Sequence, residues 1–497
     1  MEKAIATLEK YTGITCDSRK VKEGYAFIAI QGFERDGNQY INEAIKNGAS
    51  VIFTDQVVKN NGLNNNVPII KVDNARAHLG KLAAEFYNHP SKKLELIGIT
   101  GTNGKTTTTH LIYHLLNYSN MRNSGKNQKA GLIGTVQVDN GFSIIPGDLT
   151  TPDPVRLQKY LQEMLKANLK YACMEVSSHG IKLERISACN FSIKVATNIT
   201  ADHFDLHPNF EEYINVKKSF LEDTNDTLVL LNTDNKYIKS FGKIAKKQIS
   251  FGINFNTDIR AEKIKDLNKG HSFIYSLNCK LEKKNKELIN PFHFSISMNL
   301  AGYHNIYNAL IAITIALYYN ISIETIQDFF KNFKGIWRRL QFIYDDDFTI
   351  IDDCAHNPGS YQAVFEAVAK MKFNKLIVVN SLRGNRGTRI NLENAITISK
   401  QLSHFPNMKF LTSNCNDLVK NIDKVYPYEE KTFLDTLNES NIKFEHFQEL
   451  KPALKKALSL VENNDIILLL GPHAMDNAAE IILDLINQKK LASPSYF

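Results

Sequence analysis

Ile97-Gly98-Ile99-Thr100-Gly101-Thr102-Asn103-Gly104-Lys105-Thr106-Thr107 is the stretch on which the fold turns. An apolar, β-prone run from Leu94 to Ile99 enters it. Leu111, Ile112, Leu115 and Leu116 follow at helical spacing. Strand, glycine turn and helix is the layout of a phosphate-binding loop, in which backbone N–H groups face an anion. Gly101 and Gly104 allow that close approach. Lys105 can reach terminal phosphates as a point charge, and the Thr106 hydroxyl can ligate Mg²⁺. Thr102, Asn103 and Thr107 complete the loop and the start of its helix. The pattern departs from the usual loop at one place, since Ile99 stands where the first glycine is expected.

Outward from this loop the chain alternates strands and helices, which predicts an α/β protein with a mostly parallel central sheet. Strands are expected at 94–100, 170–176, 193–198 and 227–232. At two of their ends stand Glu175-Val176-Ser177-Ser178-His179 and Asn198-Ile199-Thr200-Ala201-Asp202-His203. Ligands of parallel sheets sit at carboxyl strand ends, and acids and histidines there can hold Mg²⁺ beside a nucleotide. Residues 255–295 are rich in Lys and Asn and read as a solvated hairpin excursion. Asn305 and Asn308, three apart, open a strongly apolar helix and share a face.

Upstream, residues 1–90 read as a small α/β unit ending at His89-Pro90-Ser91, and residues 91–334 form the central unit. Residues 335–497 read as a third, Rossmann-like α/β unit with strands near 348–352, 375–380, 408–412 and 465–470. The chain has 497 residues, enough for several buried cores, with 43% apolar and 23% charged residues. No apolar run approaches the roughly 18 residues of a membrane span. The N-terminus lacks a signal-peptide pattern, so a cytoplasmic location without membrane insertion is expected. Six dispersed cysteines without a C-x-x-C pair read as reduced thiols. A net charge of +8 suits anionic substrates, but no dense basic run with interleaved aromatics suggests nucleic acid.

Several motifs, in order, resemble the Mur ligase family, most closely its UDP-N-acetylmuramoyl-tripeptide synthetase (MurE) branch. They are Gly-Thr-Asn-Gly-Lys-Thr-Thr at 101–107, Thr-Thr-Pro at 150–152 and Met-Glu-Val-Ser-Ser-His at 174–179 with Arg185 downstream. Thr-Asn-x-x-x-Asp-His-x-Asp-x-His follows at 197–207, then Tyr213 and Lys217 in a Tyr-x-x-x-Lys. Asp17-Ser18-Arg19 resembles part of a uridine-binding unit. The resemblance implies three domains: a UDP-binding domain (1–90), an ATP-binding domain (91–334) and an amino-acid-binding domain (335–497).

It also implies a reaction. A substrate carboxylate attacks the γ-phosphate of ATP, and an amino-acid amine then displaces phosphate from the acyl phosphate to form an amide. Lys105, His203 and Lys217 would be catalytic. Thr106, Glu175, His203 and Lys217 would hold Mg²⁺, Lys217 as a carbamylated lysine. Asn198, Asn305, Arg339 and Asp353 would join the loop at the nucleotide. Ser18, Thr150, Thr151, Ser177 and Arg185 would meet a UDP-N-acetylmuramoyl-peptide. The partners implied are small molecules (that peptide, ATP and an amino acid), with the protein a monomer.

The C-terminal unit departs from the family pattern. Cys354 replaces an aromatic residue, and Trp337-Arg338-Arg339-Leu340-Gln341 is closer to the folylpolyglutamate synthase branch. An Asp-Asn-Pro-Arg motif of diaminopimelate-adding members is absent, with Asn414-Cys415-Asn416-Asp417 in its place. Asp417 would repel a distal carboxylate and favour a basic or neutral amino acid. Alternatively it caps a helix starting near Leu418, and Arg383, Arg386 or Arg389 could reverse the sign. Two other readings stay open: a relative with another acceptor, folylpolyglutamate-like or cyanophycin-like, and a catalytically silent homologue serving as a binding subunit.

Overall fold

The computed structural model describes residues 11–32, 35–57, 67–122, 129–200, 207–267, 269–419 and 421–492. Its contacts divide the chain into two compact units. The first comprises Met1–Arg260, Asn278–Asn290 and Asn308–Ile326; the second comprises Ala261–Leu277, Pro291–Tyr307 and Gln327–Phe497.

The first unit holds two parallel sheets. The smaller runs in the order Gly13–Thr15, Tyr25–Ala29, Ala49–Thr54, Ile69–Lys71. Side chains alternate across a strand, so Ala26, Ile28, Val51 and Phe53 share one face with Leu79 and Leu82 of the helix Ala75–Phe86. Phe27, Ala29 and Ile52 share the other with Ile41 and Ala44 of the helix Ile41–Lys46. Helices on both faces explain why this stretch reads as a continuous apolar run rather than an alternating one.

The larger sheet places the phosphate-loop strand Glu95–Thr100 between Ile193–Ala196 and Tyr171–Glu175, all parallel. Asp223–Asn232 and Ala245–Gly252 extend it on one side and Ala130–Ile133 on the other. The antiparallel strands Gln137–Asp139 and Ile144–Pro146 finish that edge. The four strands expected here are all present. The register aligns Thr100 with Ala196 and Ile99 with Glu175, which brings the loop, Glu175 and Asn198 to one end of the sheet.

In the second unit a sheet runs in the order Gln341–Asp345, Thr349–Asp353, Ile466–Leu470, Leu376–Ser381, Met408–Ser413, Phe444–Phe447. Only the first strand is antiparallel. Ile351, Val378, Phe410 and Leu468 pack on one face, and Ile350, Val379, Leu411 and Leu469 on the other. The four expected strands are present; Gln341–Asp345 and Phe444–Phe447 are additions. The stretch read as a solvated excursion differs from expectation. Gly270–Leu277 and Phe292–Met298 form a seven-pair antiparallel ladder, with Phe273, Tyr275, Leu277, Ile296 and Met298 buried. One face of alternating apolar residues is enough to bury the ribbon, while the Lys and Asn residues lie in the segments before and between its strands. Among the described residues, no helix is long and apolar enough to cross a membrane.

Candidate nucleotide and ligation site

The phosphate loop is held open by side chains from the neighbouring strand end. Asn198 clamps Asn103 at both backbone groups: its Oδ1 accepts from Asn103 N at 2.9 Å and its Nδ2 donates to Asn103 O at 3.0 Å. Thr197 adds a hydroxyl bond to Asn103 O at 2.6 Å. Gly101 sits at φ +147°, and a Cβ there would lie 1.9 Å from Thr197 Oγ1, so no side chain fits. Thr102 is tied to Tyr213 through their hydroxyls at 2.9 Å. The helix Lys105–Arg122 leaves the loop directly, and Thr108 donates to Asn308 Oδ1 at 2.9 Å.

Lys105 Nζ donates to the carbonyls of Gly101 and Thr102, each at 2.9 Å. Thr106 Oγ1 donates to Glu175 Oε2 at 2.8 Å, and Glu175 is 1% exposed. Thr135, not foreseen in the sequence, completes this carboxylate's shell: its N–H reaches Glu175 Oε1 at 2.8 Å and its hydroxyl reaches Oε2 at 3.2 Å. A hydroxyl and a carboxylate side by side are the hard oxygen donors that Mg²⁺ prefers, so this pair fits that ion. Among the described residues no group of three His, Cys, Asp or Glu side chains is placed to hold a metal. His203 lies outside the described residues.

Lys217 is 1% exposed, deep behind the loop. Its Nζ donates to Gly101 O at 3.1 Å and lies 4.7 Å from the Tyr213 ring centroid. It comes from the helix Phe210–Leu221, capped by Asn209. His207 packs against Tyr213 and meets Glu212 Oε2 through Nδ1 at 2.8 Å. Burial holds its pKa below the usual value, with Glu212 opposing.

A second group adjoins through Glu175. Thr135 and Thr150 hydroxyls meet at 2.9 Å. Thr151 is fully buried, its hydroxyl committed to Glu175 O at 3.0 Å and Ser177 Oγ at 3.1 Å. Thr151 thereby ties its loop to the end of the strand Tyr171–Glu175. Ser177 caps the helix Ser178–Lys182, and Arg185 donates to Thr151 O at 2.8 Å. Ser18 is buried and donates to Glu43 Oε2 at 2.9 Å, while Asp17 caps the short helix Ser18–Lys20 and pairs with Arg19.

The larger sheet's other end carries a cleft of about 1160 Å³, bordered by Lys92, Glu95, Lys194 and Asp223. Lys194 and Asp223 pair there at 2.7 Å. This cleft adjoins the amino ends of the strands, away from the phosphate loop.

In the second unit the tandem arginines divide their labour. Arg338, at φ +51° and 1% exposed, is a buried clamp. It donates to Asp352 Oδ1 at 3.2 Å, Asp476 Oδ1 at 2.5 Å, Gly471 O at 2.5 Å and Pro472 O at 3.0 Å. Arg339 is half-buried. Burial pushes Asp353 up to about 6, against the pull of Arg339 and the Leu340 N–H that donates to its Oδ2 at 2.8 Å. Asn305 is buried and donates to Ala301 O at 2.6 Å.

Asp417 Oδ1 accepts from Leu450 N at 2.9 Å at the start of the helix Leu450–Leu460, and no α-helix starts near Leu418 among the described residues, where the chain makes a turn. Arg386 pairs with Asp423 at 3.4 Å and Arg389 with Glu393 at 3.0 Å. Fully buried Glu429 accepts from the N–H groups of Asn385, Arg386, Gly387 and Tyr426, which fixes the Arg383-to-Gly387 loop.

Three domain models match this chain in succession: Mur ligase family, catalytic domain over 10–87; Mur ligase middle domain over 99–316; and Mur ligase, glutamate ligase domain over 338–473. The UDP-N-acetylmuramoyl-L-alanyl-D-glutamate--2,6-diaminopimelate ligase of Caldanaerobacter subterraneus subsp. tengcongensis is 32% identical over 93% of this chain and 89% of its own length. That of Fusobacterium nucleatum is 33% identical with the same coverage. A solved structure of a ligase of that name aligns with a TM-score of 0.64 at 20% identity, covering 96% of this chain and 95% of its own. With its models matched in order from residue 10 to residue 473, and relatives alike along nearly their whole length, this chain belongs to the Mur ligase family.

Proposed function

We propose that this protein uses ATP to join the terminal carboxylate of a UDP-N-acetylmuramoyl-peptide to the amine of one amino acid, in peptidoglycan precursor synthesis. The observation that carries this is the Thr106–Glu175 contact at the foot of a clamped phosphate loop, with Lys217 buried behind it. The relatives' names supply the acceptor, a UDP-N-acetylmuramoyl dipeptide.

The carboxylate oxygen attacks the γ-phosphorus and ADP departs. The amine then attacks the acyl carbon, the amide bond forms, and phosphate leaves with one former carboxylate oxygen. Both steps gather negative charge, so positioning and charge neutralisation carry the catalysis. Lys105 turns its ammonium from the loop carbonyls to the phosphates. Thr106 and Glu175 would hold the nucleotide's Mg²⁺ and His203 a second Mg²⁺, each of which would supply further charge neutralisation. Lys217 acts as a carbamate: its neutral amine adds CO₂, an N–C bond forms and a proton leaves. The anion so made suits a metal-facing position that an ammonium does not. Thr150, Thr151, Ser177 and Arg185 orient the sugar-peptide, and Ser18 lies at its uridine end. Domain limits at 1–90, 91–334 and 335–497, a monomeric state and a cytoplasmic location belong to the same reading.

The test is ADP release measured with each substrate omitted in turn. Release that requires both the UDP-muramoyl dipeptide and an amino acid supports the reading. Release with a pteroylglutamate or cyanophycin-like acceptor instead assigns the chain to another branch, and no release with any acceptor supports a silent homologue.

A further inference from the structure

The cleft at the amino ends of the larger sheet takes no part in the ligation site, yet its charges do not balance. It runs along four neighbouring parallel strands, Glu95–Thr100, Ile193–Ala196, Asp223–Asn232 and Ala245–Gly252. Three strand spacings make its length roughly 14 Å. The strand Glu95–Thr100 separates it from the phosphate loop by about 17 Å.

Every carboxylate along the cleft is already held by a lysine. Asp223 pairs with Lys194 at 2.7 Å, Glu95 with Lys284 at 2.8 Å and Glu222 with Lys218 at 3.5 Å. Asp226 takes Lys246 at 3.1 Å, with Lys247 and Lys286 at 4.0 Å. Six lysines against four acids line the cleft, which leaves an excess of positive charge. Lys92, Lys93 and Lys243 are exposed and make no ion pair among the described residues. Lys92 and Lys93 stand just before the first of the four strands and Lys243 just before the last, so unpaired cations mark both ends of the cleft.

The lining also narrows the ligand. It contains no arginine. Arginine reads the planar shape of a carboxylate through paired N–H groups, whereas ammonium groups act as mobile point charges and read charge density. Phe241 and Tyr318 are buried, and Phe191 packs edge-to-face on Phe220 at 5.1 Å. The cleft is therefore poor in the open rings on which bases of a single-stranded nucleic acid stack.

We propose that this cleft is a second anion site, which takes a linear chain of phosphates, inorganic or carried by a nucleotide. Such a chain carries charge along its whole length and can meet the lysines at both ends, whereas a single phosphate meets one end. The proposal uses no group of the ligation site, so it stands or falls apart from the ligase reading.

The experiment is calorimetric titration of tripolyphosphate into the full chain carrying Lys105→Ala, which weakens the phosphate loop and isolates the cleft. Mg²⁺ is left out because polyphosphate chelates it. One tripolyphosphate should bind per chain, and inorganic phosphate should bind at least ten-fold more weakly. Adding Lys92→Ala, Lys93→Ala and Lys243→Ala together should weaken tripolyphosphate at least ten-fold. The same three positions changed to arginine should keep most of the affinity, which separates lost charge from lost fold. Titrating ATP beside a longer inorganic polyphosphate identifies the source of the chain by the tighter binder. No saturable binding, or an affinity unchanged by the three alanines, overturns the proposal. Binding of a poly-L-glutamate peptide as tight as that of polyphosphate also overturns it, and assigns the cleft to an acidic protein segment instead.

Discussion

The phosphate loop and the loops at the carboxyl ends of the second unit's sheet are both built where parallel strands end, yet they read their surroundings differently. At the phosphate loop, residues 101–107 form one contiguous turn whose shape is held by partners 94 and 95 residues further along the chain. Asn198 and Thr197 grip Asn103, and Gly101 exists because nothing else fits beneath Thr197. In the second unit a hydrogen-bond network joins residues nearer in sequence but on separate elements. Asn414 follows one strand, Glu430 stands on the helix Pro427–Glu439, and His446 lies on the strand Phe444–Phe447. Phosphate is alike in every nucleotide, so its site can be a short fixed motif. The second unit's network has no such contiguous motif.

The sharpest way to break this contrast is Lys105→Ala. A half-buried loop lysine bonded to carbonyls of its own turn carries little packing. Turnover should fall by at least about 10³-fold, measured as ADP release, with the thermal midpoint unchanged. Near-normal turnover would remove the loop from the chemistry.

Lys217→Ala should cost nearly as much activity, about 10²- to 10³-fold. Bicarbonate should not restore it, whereas a short-chain carboxylate should restore part by replacing the missing anion. Rescue by neither, with a folded protein confirmed by circular dichroism, would separate Lys217 from the carbamate role.

The contrast sharpens at Arg338, where the second unit does rely on one local residue, for stability. Removing one partner of a buried ion pair strands the others, so Arg338→Ala should destabilise that unit by about 3–5 kcal/mol in denaturant unfolding. Arg338→Lys should recover little, since an ammonium cannot span Asp352, Asp476 and two carbonyls.

The smallest effect is a pH dependence at Asp353. Burial raises this carboxylate to about 6, against 3.8 when unfolded. Its folded form binds a proton more tightly, so its contribution is fully present below about pH 4 and is lost as pH rises through about 6. Asp353→Asn keeps an oxygen acceptor for Leu340 N–H. Without nucleotide it should be more stable than the parent at pH 8, by roughly 2–3 kcal/mol, with the gap closing by pH 4. A gap that persists at pH 4 would mean that packing, not charge, sets the difference.

Much of the fold could be read from the sequence, because apolar runs between glycine and proline breaks marked the parallel strands. Lys105, Thr106, Glu175 and Asn198 were legible because they sit at fixed offsets around those strands. The hairpin of Gly270–Leu277 and Phe292–Met298 was legible as a hairpin but not as a buried one, because the Lys- and Asn-rich segments before and between its strands suggested solvent on both faces. For Asp417 the charge was legible but its partner was not, since Leu450 lies 33 residues away. Glu430 and His446 carried no local signal at all. A glutamate in the first turn of a helix and a histidine on an edge strand are ordinary until the sheet brings them within 3.1 Å.

The central claim is that the clamped phosphate loop drives ligation through an acyl phosphate. It is tested most directly by labelling the acceptor's terminal carboxylate with ¹⁸O and analysing the inorganic phosphate formed in one round of amide synthesis. The account predicts one ¹⁸O atom in the phosphate for each amide bond made with fully labelled carboxylate. Phosphate free of label alongside amide product would contradict it.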